Sequence, residues 1–254
     1  MAKKKKLKLA ASWQYIGLGA LAVVTAGVVG FAFMAPPSPP PAADSVASYQ
    51  PPTVTKVEPQ RVAVIGDSYS AGAGAGDPAM GWVGRLTRNQ LWDVTNLARG
   101  GTGYSTSVTT NAQKACALDY CPSYPEMIAE AVKTNPTLIL VAGGRNDALV
   151  PAADEAEAVR TFYETLRAEA PAAKIVAFNV LWDNRTPPES VPAMSAVVKE
   201  SVESVGGIYL DAQQPLAKVE GLVGSDGVHP NAAGHAAIFE AKLGLLQQSE
   251  IAVR

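Results

Sequence analysis

Histidine and cysteine are scarce in this chain, with two of each in 254 residues. Cys116 and Cys121 have no histidine and no second cysteine pair near them, which argues against a zinc site, and no metal or other cofactor is expected. Charged residues are sparse as well, at 17%. No acidic residue precedes Asp44, whereas Lys3, Lys4, Lys5, Lys6 and Lys8 crowd the start. Past Lys8 the acidic residues outnumber the basic ones by seven. That balance argues against nucleic acid as a partner. A phosphate-cradling Gly-Lys-Ser/Thr is missing, and Ala71-Gly-Ala-Gly-Ala-Gly76 fails the dinucleotide fingerprint because Asp77 stands where the third glycine belongs. The stretch reads as a loop, either at a functional site or on the plain surface. No internal repeat is visible.

What is present begins with an uncharged, apolar run over residues 13–35. As a helix it would reach about 34 Å at about 1.5 Å per residue, enough to cross a bilayer. The lysine-rich residues 1–12 would stay on the cytoplasmic side, placing everything after Ala35 across the membrane. A cleavable signal peptide is the competing reading, since Gly30-Phe-Ala32 offers a small-x-small site, but the apolar run is longer than a usual signal core. An uncleaved, single-pass anchor is therefore expected, with secretion after cleavage as the alternative. Residues 36–59 are too rich in proline for a helix or a central strand and read as a semi-extended tether. If the remainder lies outside the cytoplasm, Cys116 and Cys121 close a small disulfide loop; two free buried thiols are the alternative.

From residue 60 to about 250 short apolar runs alternate with amphipathic ones. Strands are predicted at 62–65, 94–97, 137–142, 174–180 and 208–211, and helices at 82–91, 124–134, 153–169, 189–205 and 232–247. The alternation predicts an α/β fold: a three-layer α/β/α sandwich around a mostly parallel five-stranded sheet. In such folds ligands bind at the carboxyl ends of the strands. The candidate residues fall there. Val62-Ala-Val-Ile runs into Gly66-Asp67-Ser68, a tight turn presenting a serine. The second strand leads to Asn96-Leu-Ala-Arg-Gly-Gly-Thr-Gly103, where glycines let backbone N–H groups approach a ligand. The third leads to Gly143-Gly-Arg-Asn146-Asp147. Near the C-terminus, Asp226-Gly-Val-His229 puts an acid and an imidazole on one turn. A serine, a backbone donor, an amide donor and an Asp/His pair are the groups that acyl transfer through an oxyanion requires.

In this order the four segments resemble the blocks of the SGNH (GDSL-type) hydrolase family, over residues 60–247. The resemblance implies a flavodoxin-like fold with Ser68 as nucleophile, His229 as general base and Asp226 as its orienting acid. It also implies an oxyanion hole from the N–H of Ser68, the N–H of Gly101 and the side chain of Asn146. Tyr69 and Ala98 depart from the commonest family pattern. Asp67 and Asp147 read as structural carboxylates that accept backbone hydrogen bonds, and His235 as a packing or capping residue. Arg99 and Arg145 flank the proposed donors and are candidates to contact an anionic or sugar substrate. Trp182 is the best placed of the tryptophans to line the site. The expected activity is a monomeric serine esterase acting on small acyl esters of a glycan, a lipid or a small molecule. An acyltransferase and a non-catalytic binding module are the alternatives.

Overall fold

The computed structural model describes residues 58–252. The predicted basic tail, the predicted membrane span and the tether as far as residue 57 lie outside the described residues. Among the described residues no helix is long and apolar enough to cross a membrane.

Five strands form one sheet: β1 (Arg61–Gly66), β2 (Asp93–Asn96), β3 (Leu138–Ala142), β4 (Lys174–Phe178) and β5 (Ile208–Leu210). They lie in the order β2-β1-β3-β4-β5, and every neighbouring pair is parallel. The sequence of β3, Leu-Ile-Leu-Val-Ala, is apolar throughout and every residue is buried. A central parallel strand covered on both faces has that character. Alternate residues serve opposite layers. Ala63, Ile65, Ile139, Val141 and Ile175 pack with α4 (Tyr124–Lys133), α5 (Ala152–Glu169) and α6 (Ser190–Ser204) through Met127, Phe162, Leu166 and Val198. Val62, Val64, Leu138, Leu140 and Phe178 pack with α2 (Trp82–Gln90) and α7 (Ala232–Gln248) through Trp82, Leu86, Ile238 and Leu246. Fully burying each of the Val, Leu, Ile, Met and Phe side chains among them stabilises the fold by about 1.5–3 kcal/mol. The two clusters hold the sheet as a platform and leave its carboxyl-end loops to carry chemistry.

All five predicted strands and all five predicted helices occur, with shifted ends. The fourth strand stops at Phe178 rather than at residue 180. There Asn179 turns away, accepting from the N–H of Ala212 at 2.8 Å and donating to the carbonyl of Gln213 at 2.7 Å, which ties β4 to the loop after β5. Two one-turn helices were not predicted, α1 (Ser68–Ala71) and α3 (Ala112–Cys116). Both are too short to leave a hydrophobic period in the sequence.

Candidate active site

The serine is not presented by a plain turn. Asp67, at the end of β1, caps α1, its Oδ1 accepting from the N–H of Tyr69 at 3.0 Å. Ser68 is the first residue of that helix, so its own N–H has no acceptor within the helix. Gly72 ends the turn in the left-handed region, at φ 88°. Burial raises the Asp67 carboxyl to about 6, against the pull of the Tyr69 N–H, Arg145 and Lys242. Asp67 thus shapes the backbone around the serine, as the sequence suggested.

The imidazole arrives from the far end of the chain. Residues 222–230 form a loop closed at its base by Val223 and Pro230, with the N–H of Gly224 donating to the His229 carbonyl at 2.8 Å. Asn231 then caps α7 by accepting from the N–H groups of Ala233 and Gly234. Within the loop Asp226 Oδ1 accepts from the N–H groups of Val228 and His229, both at 3.0 Å, and Oδ2 lies 2.7 Å from His229 Nδ1. The hydrogen bond from His229, joined by those two N–H groups, holds the Asp226 carboxyl well below the usual carboxylate range. His229 Nε2 stands 3.1 Å from Ser68 Oγ. Three residues from opposite ends of the fold therefore make one continuous hydrogen-bonded line. The loop sits close on the Ala71–Gly76 stretch. A Cβ at Gly74 would come within 2.3 Å of the Pro230 carbonyl oxygen. That glycine-rich stretch is a contact surface for the histidine loop.

Gly101 and Asn146 face the same cleft. It has a volume of about 420 Å³ and is lined by Ser68, Gly101, Lys114, Arg145, Asn146 and His229 among others. Asn146 Nδ2 donates one hydrogen to the Thr102 carbonyl at 2.9 Å, leaving its second N–H. Asp147 beside it braces the loop between β2 and α3. Its carboxylate accepts from the N–H groups of Tyr104, Ser105 and Thr106 and from the Thr106 hydroxyl. Asp147 is thus structural, as expected. Lys114 and Ala115 of α3 also line the cleft, and the last residue of that helix, Cys116, is bridged to Cys121 with a Cα–Cα distance of 6.0 Å. A Cβ at Gly100 would lie 2.1 Å from the Ala115 carbonyl oxygen, so only glycine lets α3 pack this close to the Gly100-Gly101 turn.

Three sequence-based expectations change. Arg145 lines the cleft, yet its guanidinium is committed to Tyr69, Asp183 and the face of Trp182, which leaves little of it for a substrate. Arg99 donates to the Ala98 carbonyl and lies 3.9 Å from Glu130. Trp182 is not in the cleft wall; it is the platform under Arg145. His235 is fully buried within the first turn of α7 and donates from Nε2 to the Ala73 carbonyl at 2.9 Å. Burial holds it below the usual histidine range. Two buried groups escaped the sequence reading. Lys242 rests its ammonium 4.0 Å from the Trp82 ring and 4.2 Å from the Phe178 ring, and burial lowers it to about 7. Glu155 lies near Asp147 with one oxygen unpartnered. Each sits on the buried side of a helix, where a charged residue reads from sequence as a surface position. Among the described residues no group of three or more His, Cys, Asp or Glu side chains is placed to hold a metal ion.

Comparison with known proteins agrees with the fold and shows the family. The sequence model of the GDSL-like Lipase/Acylhydrolase family matches residues 64–237, and the chain belongs to that family. GDSL lipase Rv0518 of Mycobacterium tuberculosis is 29% identical over 197 residues, covering 74% of this chain and 81% of the relative. Among solved structures, the salicylyl-acyltransferase SsfX3 of a tetracycline biosynthetic pathway superimposes with a TM-score of 0.58 at 18% identity, covering 77% of this chain and 56% of that one. A family two carbohydrate esterase from Cellvibrio japonicus gives 0.56 at 18% identity, over 77% of this chain and 62% of that one. At these identities the two structures speak for the fold alone.

Proposed function

We propose that this protein is a serine esterase that removes short acyl groups from a polar alcohol, with a glycan hydroxyl as the preferred class. The line from Ser68 Oγ to His229 at 3.1 Å and from His229 to Asp226 at 2.7 Å carries this reading. A serine hydroxyl is a poor nucleophile near neutral pH. His229 takes its proton as Ser68 attacks the ester carbonyl, and Asp226 holds the imidazole tautomer that makes Nε2 the acceptor. The N–H groups of Ser68 and Gly101 and the free amide hydrogen of Asn146 receive the developing oxyanion. His229 then protonates the departing alcohol, and water repeats the sequence on the acyl-serine.

The cleft supports a small acyl group. Ala73, Gly100, Gly101 and Ala115 are short, Val228 is the largest aliphatic side chain in the lining, and Thr110, Asn111 and Lys114 are polar. A long alkyl chain would find little apolar surface to bury. Hydrolysis is favoured over transfer because the His229 and Asp226 side chains are 29% and 52% exposed, which gives water a route to the acyl-serine. The basic start, the apolar run and the Cys116–Cys121 bridge together support a catalytic domain held outside the cytoplasm on an N-terminal anchor.

A panel of p-nitrophenyl esters from acetate to long chains, run beside Ser68→Ala and Asn146→Ala, tests the reading. Release should be fastest on acetate to butyrate and absent in Ser68→Ala. It should fall in Asn146→Ala by about 10²–10³. No release above Ser68→Ala on any ester would move the assignment to a non-catalytic binding module. A maximum on long chains would overturn the small-acyl claim. Fractionation of a C-terminally tagged chain separates an anchored protein from a shorter soluble one.

A further inference from the structure

Tyr69 stands directly after Ser68 and is buried. Its hydroxyl donates to the carbonyl of Val228 at 2.6 Å, across 159 positions of sequence. Val228 immediately precedes His229, and its own N–H is held by Asp226 at 3.0 Å. The peptides on either side of Val228 are therefore gripped from two directions, by Asp226 inside the loop and by Tyr69 from the nucleophile helix. The Tyr69 ring also lies against the His229 ring, with centroids 6.2 Å apart.

The hydroxyl is itself aimed. It accepts from Arg145 Nη1, and the same guanidinium stacks on Trp182 at 4.2 Å and donates to Asp183 at 3.2 Å. Asp183 is fully buried and also receives Arg185. Burial works against its charge, yet the hydrogen bonds from Arg185 and Arg145 hold it below the usual carboxylate range. Burial likewise keeps the Tyr69 phenol above its ordinary range, so it remains a donor at any working pH. Arg145 is the neighbour of Asn146. One chain of contacts thus links the loops after β1, β3 and β4 to the histidine loop.

We propose that Tyr69 is a positioning residue: held by Arg145 and Asp183, its hydroxyl fixes the Val228 carbonyl and so sets His229 against Ser68. The role rests on the serine esterase reading above. It also gives a use to the position where this chain departs from the common pattern, because a side chain without a hydroxyl could not make either bond. The Asp226 side chain is half exposed, so the Tyr69 bond adds to the contact with the Gly74 stretch in holding the loop in register.

The test is Tyr69→Phe, which removes one oxygen and keeps the ring. On p-nitrophenyl acetate kcat should fall by about 10- to 100-fold, the loss that small misplacement of a reacting group causes, while KM moves by less than about threefold. Labelling of Ser68 by a phosphonate probe should slow in the same proportion, with the far-UV spectrum unchanged. Arg145→Met reads the link from its other end and decides the matter should Tyr69→Phe fail to fold. It should lower kcat in the same direction, and the double variant should be no worse than the slower single one, because both cut one connection. A kcat within about twofold of wild type in the folded variants, or losses that multiply, overturns the proposal. Ser68→Ala separates the two claims: if it keeps activity, both readings fall; if it is inactive while Tyr69→Phe is fully active, only the positioning role falls.

Discussion

Asp226 serves the backbone and the imidazole at once, one oxygen collecting two N–H groups and the other facing His229 Nδ1. Its carboxyl stays ionised far below neutral pH, so activity lost between pH 7 and 5 does not come from its protonation. Glu155 is the contrasting acid. Burial, with Asp147 close by, raises its carboxyl to about 8, against one hydrogen bond from Ser105. An acid raised in the folded state holds its proton there while the unfolded chain has released it. Between the ordinary value of 4.5 and about 8 the folded form therefore binds more protons, and stability falls as pH rises through that window. Glu155→Gln removes the titration. Its melting temperature should match wild type near pH 5, exceed it by at least about 2 °C at pH 8, and decline less in between. Equal slopes for the two proteins would show that Glu155 is ionised already. Ser68, Asn146, Asp226 and His229 could be singled out in the sequence as candidates because acyl transfer needs those residue types, and the structure brings Ser68, His229 and Asp226 into hydrogen-bonding distance. Glu155, Lys242 and the Tyr69 contact were not. Burial of a polar side chain and a bond across 159 positions leave no trace in local pattern.

Elements make the cleft. The short helix α3 lines the cleft along with Ser68, and its close packing on the Gly100-Gly101 turn depends on the approach that the missing Cβ of Gly100 permits. The bond between Cys116 and Cys121 ties the last residue of that helix to the chain five positions on. Closing a loop this small removes about 2 kcal/mol of unfolded-state entropy. A Cys116→Ser, Cys121→Ser variant should melt about 4–8 °C lower. Its KM for a glycan ester should rise more than its KM for p-nitrophenyl acetate, since the larger alcohol needs the wall. Equal changes on both substrates would show that α3 does not meet the alcohol. Neither α1 nor α3 could be read in advance, since each spans about one turn and is held by a cap, a bridge or a neighbour rather than by an apolar face. The long helices and the central strands could, because each buries a stripe or both faces. The loop after β4 was misjudged for a related reason. Trp182 was expected to face the substrate, whereas its flat ring is occupied by Arg145.

At the scale of the molecule the sheet is all parallel, and each strand delivers its following loop to one edge. Alternating strand and helix patterns were enough to read that architecture, and with it the edge where the site lies. Strand order and the pairing of loops were not readable in the same way, because they depend on contacts between distant segments. The distance in sequence between Ser68 and His229, 161 positions, has a kinetic consequence. Ser68 belongs to the turn after the first strand and His229 to the last loop before the final helix, so the two meet only when both ends of the domain are in place. Parallel sheets with contacts this remote assemble slowly. After dilution from denaturant, far-UV ellipticity should return before ester hydrolysis does, and a chain ending at residue 221, which lacks Asp226 and His229, should bind no phosphonate probe at all. On the proposed serine esterase reading, recovered ester hydrolysis would report that Ser68 and His229 have met.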